Sequence, residues 1–253
     1  MKIRARLVVC LVGIVGLAAI LFTGISGLPG YGHYPGPYGD YINALAPYQR
    51  HVTNAVSAVN FDYRGLDTLG EEFILFAAVA GLVLLLRSPG VEAEDRPPIE
   101  IPNRPIEPAS DGVRWLTFGL VAVVNLFGTY MVLHGNTTPG GGFQGGAILG
   151  TASMMVYLGA GYRTYRRSTA KQATEIGKSL GAGIYALTGL AGMVAGGAFL
   201  QNVLPLGRRE SLLSGGTIPV INFGVGLEVA AGFALLFLQF IKETRKQPSV
   251  EEK

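Results

Sequence analysis

Acids set inside apolar sequence are the residues here whose type and spacing could do chemistry. Glu228 lies in "TIPVINFGVGLEVAAGFALLFLQF", flanked on both sides by apolar or small residues. An ionisable group at such a place is costly in lipid unless paired or hydrated, and therefore marks a functional position or an assembly contact. A second group occurs in "DYRGLDTLGEEF", where Asp67 and Glu71 stand four apart and share a helix face. Glu72 falls on another face. Arg64, one turn earlier, can pair with Asp67 or Asp62. The plainer reading of this stretch is a solvated helix cap, with Asp67 or Thr68 capping and Glu71 reaching back. Lys178 stands at the head of an apolar segment, as a snorkelling anchor or a proton carrier. Carboxylates suit both protons and hard cations, which prefer oxygen ligands.

Other chemistries find no support. His33, His51 and His134 are scattered without metal-ligand spacing. The single Cys10 excludes an intrachain disulfide and any multi-thiolate metal site. "PGGGFQGG" lacks the G-K-[ST] ending of a phosphate loop. No cofactor, metal or enzymatic reaction is expected, and no basic and aromatic interleaving points to nucleic acid.

The elements that must carry these acids are membrane helices. Of 253 residues, 49% are hydrophobic and 15% charged, against about a quarter charged in soluble domains. Mean hydropathy is +0.38. Six segments approach the length needed to span a bilayer: 7–28, 69–86, 113–133, 143–162, 179–200 and 217–241. The fold class is therefore an all-α integral membrane protein of about six transmembrane helices. Lys2, Arg4 and Arg6 put the N-terminus in the cytoplasm. Alternating passes then place 87–112, 163–178 and the tail inside, and 29–68, the glycine-rich loop and 201–216 outside. Arg208 and Arg209 are discordant. The C-terminus is cytoplasmic, and the location is a cell membrane, crossed several times.

"HGNTTPGGGFQGG" breaks the chain between two apolar runs. Irregular backbone at membrane depth is tolerated only where protein or water covers it. The stretch should end one helix near the outer surface and open the next, with Gly142, Gly145, Gly146 and Gly150 forming a small face for close packing. Asn125 and Asn222 suit hydrogen bonds between helices. The Pro- and acid-rich stretch 89–110 reads as an extended linker. It separates a two-helix module, 1–88, from a four-helix module, 111–243, followed by a polar tail, 244–253.

The glycine stretch also carries a resemblance. "HGNTTPGGGFQGGAILGTA", with Asn136, Pro139, Gly140, Gly141, Gly142, Phe143, Gly145 and Gly146, resembles the signature of the MnhB family, the B-type component of Mrp-type multisubunit sodium/proton antiporters. "PVINFGVGLEVAAGF" is similar to that family's last helix. The pattern departs where Gly135, rather than His, precedes Asn136. "VNFDYRGLDTLGEEFILF", with Arg64 and Gly65, resembles the C-terminal part of the antiporter's large A-type component and a small component of membrane-bound hydrogenases. The resemblance implies that Glu71 is a membrane carboxylate in an ion-transfer path, and that the chain fuses two modules. It implies partners as well: sister subunits of a complex related to the membrane arm of respiratory complex I, with Na+ and H+ as the ions and lipid around them.

Ion-translocation candidates are thus Glu71, Glu228, Asp67 and Lys178. Two other readings stay open: the same module in a redox-driven respiratory or hydrogenase complex, and a scaffold that conducts nothing. A stand-alone transporter fits poorly, because no inverted repeat is evident.

Overall fold

The computed structural model describes residues 3–28, 30–32, 36–86 and 109–244. Among them every regular element is helical: α1 (Ile3–Ser26), α2 (Pro37–Gln49), α3 (Ala55–Ala58), a π-helix (Val59–Tyr63), α4 (Gly65–Leu85), α5 (Asp111–Leu133), α6 (Gly142–Ser168), α7 (Lys171–Val194) and α8 (Ile218–Thr244). All six apolar segments fold as helices. Three are long and apolar enough to cross a membrane: Gly65–Leu85, Asp111–Leu133 and Ile218–Lys242. The linker through residue 108 and the tail beyond residue 244 lie outside the described residues, as do Lys2, His33, Arg87, Arg96 and Arg104.

Residues 1–41 and 42–253 form two compact units. In the first, α1 exposes Val12, Ile20 and Phe22, side chains that suit hydrocarbon or partner helices rather than water.

The second unit is built around α8. α7 and α6 pack along it, α4 leans on it, and α5 pairs with α6. Small residues permit this closeness. A Cβ placed on Gly146 would lie 2.8 Å from Gly226 O and Val229 Cβ, and one on Gly150 would lie 2.6 Å from Phe233 Cβ. Gly145 meets Val132 in the same way, at 2.5 Å. The glycine stripe of α6 is therefore the packed face expected of it, seated on α8 and α5.

The turn before that stripe is held by amides. Gly140 and Gly141 take φ values of +157° and +147°, which side chains with a Cβ rarely adopt. Asn222 on α8 accepts from the Gly142 N–H at 2.5 Å and donates to Val132 O at the end of α5, also at 2.5 Å. Asn136 is fully buried and donates to Ser214 O (2.9 Å) and Ser211 O (3.2 Å). Asn54 donates to Gly135 O (2.7 Å) and Thr138 O (3.0 Å). His51 meets Gly207 O at 2.6 Å. Segments 50–64, 134–141 and 200–217 thus gather at one end of the bundle. Asn125 does not join this work: its amide donates to Val121 O within its own helix.

Candidate functional site

α4 carries acids on two opposite faces. Gly65, Thr68, Glu72 and Val79 are buried, and their spacing of three, four and seven residues defines one stripe. Glu72, with 0% exposure, points into the bundle. Glu71 and Asp67 lie on the exposed face. Asp67 accepts from Arg64 Nε at 2.7 Å. Asp62 is engaged elsewhere, accepting from Arg50 Nε at 2.6 Å and from Asn202 Nδ2 at 3.0 Å.

Opposite Glu72 stands Glu228, 1% exposed, on α8. At 1.5 Å per residue it lies roughly 15 Å from the start of that helix, half the thickness of a bilayer's hydrocarbon core. The two carboxyl groups interact directly. None of their four oxygens meets a hydrogen-bond donor. Two carboxylates gathered away from water are costly unless a proton, a cation or a basic side chain neutralises them.

α7 supplies the basic side chain. Lys178, Gly181, Ala182, Tyr185, Gly189 and Gly192 are buried along one face. Lys178, 7% exposed, sets its ammonium 4.0 Å from the centre of the Phe76 ring. Phe76 is one turn beyond Glu72 on α4. Lys178 also interacts electrostatically with Glu228 and with Glu175. Gly181 explains the proximity: a Cβ there would lie 2.5 Å from Gly224 O and 2.6 Å from Glu228 N. Two backbones meet where a side chain would have kept them apart.

The apolar segment 179–200 alone puts Lys178 at the head of its helix. The helix instead begins at Lys171. The polar stretch "KQATEIGK" forms its first two turns, so Lys178 sits well inside it with its stem packed against α4.

Tyr185 closes the other side of the cluster. Its hydroxyl donates to Gly65 O at 2.7 Å and approaches Asn60 O at 3.5 Å. Its ring stands edge-on to Phe61, 6.4 Å between centroids. The Thr68 hydroxyl lies beside that of Tyr185, and Glu72 is within electrostatic reach.

The candidate residues therefore divide. Glu228 and Lys178 come together. Glu71 and Asp67 stand apart on the outer face. Glu72, Thr68, Phe76, Gly181 and Tyr185 were not singled out from sequence as site residues. One signal for Glu72 was present: small or polar residues at 65, 68 and 72 mark a packed stripe on an otherwise apolar helix.

Comparison with known proteins agrees with a helical membrane protein. Residues 113–235 match the family described as a domain related to the MnhB subunit of Na+/H+ antiporter. The B-type Na(+)/H(+) antiporter subunit of Bacillus subtilis is 30% identical over 128 residues, covering 48% of this chain and 85% of the relative. This chain belongs to the MnhB family. The MnhB-type fold extends to solved assemblies. A chain of the membrane-bound sulfane sulfur reductase, an archaeal respiratory membrane complex, is 29% identical with a TM-score of 0.68, covering 96% of this chain and 100% of that one. A chain of the Mrp complex from Dietzia sp. DQ12-45-1b is 27% identical with a TM-score of 0.66; the match covers all of this MnhB-type chain and 27% of that chain.

Proposed function

We propose that this chain is a membrane subunit of a multisubunit cation/proton antiporter complex, in which the Glu72–Glu228 pair with Lys178 handles the transported charge. The observation that carries the reading is the pair itself: two acids at 0% and 1% exposure, on different helices, facing each other beside an ammonium. A purely structural core gains nothing from them, because apolar residues of similar volume in place of buried charges are often neutral or stabilising. Na+ and H+ are the expected ions, as in the named relatives.

The chain crosses the cell membrane six times, with α1, α4, α5, α6, α7 and α8 as the passes and both termini cytoplasmic. The gathered segments 50–64, 134–141 and 200–217 then share the outer side. Residues 1–88 and 111–243 act as two fused modules. Glu71, on the outer face of α4, meets a sister subunit that covers it and extends the ion route. Likeness to a single chain of the Mrp complex along the entire sequence supports that fusion.

The test is Glu72→Gln and Glu228→Gln in the assembled complex, reconstituted in liposomes and assayed for Na+-driven proton movement. Each variant should assemble and lose antiport. Full activity in both would reject the role. The likeness to a respiratory complex favours a second reading, the same ion-handling unit driven by redox subunits. Purification of the intact complex decides: co-purifying iron–sulfur chains support the second reading, and sister antiporter chains alone support the first.

A further inference from the structure

The end of α6 opposite the glycine turn is basic. From Gly142 to Ala160 the helix rises roughly 28 Å, close to the ~30 Å of a bilayer's hydrocarbon core. There it breaks: Gly161 takes a φ of +75° and a ψ of 177°, a conformation open to glycine. The turn that follows is two-sided. Tyr162 and Tyr165 point inward and pack with Leu238 and Ile241 of α8. The Tyr165 hydroxyl donates to Ala234 O at 3.0 Å, and its ring stands edge-on to that of Tyr157, 5.9 Å between centroids. Arg163, Arg166 and Arg167 are exposed on the outside, at the three- and four-residue spacing of one helix face. Lys171 follows at the start of α7. No Asp or Glu occurs from 112 to 174. The acids at the two edges of that stretch, Asp111 and Glu175, each lie 3.8 Å from a base of their own helix, Arg114 and Lys171.

At this level the surface is also apolar. Leu158, one turn before Tyr162, is 55% exposed, and Trp115 on α5 is 77% exposed. Trp115 stands at the same height as the break, since a Cβ on Gly159 would lie 2.7 Å from Thr117 Cγ2. Trp and Tyr are side chains of the membrane–water boundary. α8 marks that boundary independently: its apolar span ends at Lys242, next to the Ile241 on which the tyrosines pack. Resting on the reading of α5, α6 and α8 as membrane passes, we infer that the Arg163–Arg166–Arg167 face, with Trp115 and Leu158 at its level, binds anionic phospholipids of the adjoining leaflet. Arginine forks meet phosphate oxygens bidentately, and the five donors of a guanidinium serve more than one acceptor. Basic groups next to a bilayer attract anionic lipids over zwitterionic ones, whose phosphate is neutralised by its own ammonium. The exposed apolar side chains suit the glycerol and the upper acyl chains. A free anion would use the arginines alone.

The experiment uses the intact complex in phosphatidylcholine nanodiscs. One sample carries a trace of photo-crosslinkable phosphatidylglycerol, a second the same trace of photo-crosslinkable phosphatidylcholine, and labelled peptides are mapped by mass spectrometry. Phosphatidylglycerol should label 111–118 and 158–171 about tenfold more than phosphatidylcholine does, and the excess should shrink as salt is added. Arg163→Gln, Arg166→Gln and Arg167→Gln together should abolish the excess, whereas Lys at the same three positions should keep most of it. An excess that survives the Gln changes overturns the assignment. Inorganic phosphate at matched ionic strength should not compete; competition would assign the face to a free anion and overturn the lipid. Equal labelling by both probes leaves the passes standing and overturns the headgroup site. Labelling by neither, along 113–133 as well as here, overturns the passes too. Cross-linking of the face to a sister chain, with no lipid taken up, makes it a protein interface and ends the proposal. The two probes are compared on the parent protein, so the result stands even where the Gln variant fails to assemble.

Discussion

The turn before α6 and the carboxyl cluster are both polar, both buried and both set against α8, yet they are finished differently. In the turn, Asn54, Asn136 and Asn222 spend most of their amide groups on backbone carbonyls and N–H groups at 2.5–3.2 Å, although Asn136 Oδ1 and His134 Nδ1 are buried there without a partner. In the cluster, all four carboxyl oxygens lack a donor. Buried polar groups are normally satisfied, and a satisfied network rigidifies a fold. An unsatisfied one is retained at a cost in stability. The first region is architecture, and the second is where the proposed function puts the transported charge.

Five variants sharpen or break that contrast. The largest effect should come from Glu72→Gln, which ought to lower antiport on the order of a hundredfold, the range in which positioned proton carriers contribute; transport assays on the assembled complex check it. Next, Glu72→Leu combined with Glu228→Leu and Lys178→Met should leave thermal stability unchanged or raise it by ~1–4 kcal/mol while transport is lost. A clear loss of stability, measured by thermal unfolding in detergent, would make the cluster structural. On the architectural side, Gly146→Ala should destabilise by ~1–3 kcal/mol, since its Cβ would lie 2.8 Å from Gly226 O and Val229 Cβ. Asn222→Leu should cost a similar ~1–3 kcal/mol by orphaning the Gly142 N–H and Val132 O; the same unfolding measurement reads both. The smallest change belongs to Asp67→Asn. Its pair with Arg64 is exposed on both sides, and such pairs contribute about 0–1 kcal/mol.

Much of the scaffold was legible from sequence. Apolar runs of bilayer length announced the long helices, and glycines at 142, 145, 146 and 150 announced the packed face of α6. Glu228 stood out because no other charged residue occurs between 211 and 241 of the chain. Its partner did not, for a physical reason. α4 is apolar nearly all round, so hydrophobic periodicity does not reveal which side packs inward, and the resemblance favours Glu71. The small or polar stripe at 65, 68 and 72 is a weak signal for Glu72, and the approach of α7 and α8 is what buries it. The segment 29–68, read as an external loop, holds α2, α3 and the π-helix. Proline and glycine suggested irregular backbone there, but Pro37 at the first position of α2 is compatible with a helix start. Helix ends were the weakest point, as α7 shows: a spanning-length criterion discards polar turns that the backbone nevertheless forms.

One amide side chain, that of Asn222, ties the start of α6 and the end of α5 to α8. Glycine contacts on α6 and α7 lock the same helix from two sides. Sliding or tilting α8 would break both bonds at once and force backbones into one another. Motion of α8 would therefore cost these contacts, whereas rotation of side chains around it would leave them intact. Such rotations belong to a far faster class of motion than the rocking of helical domains.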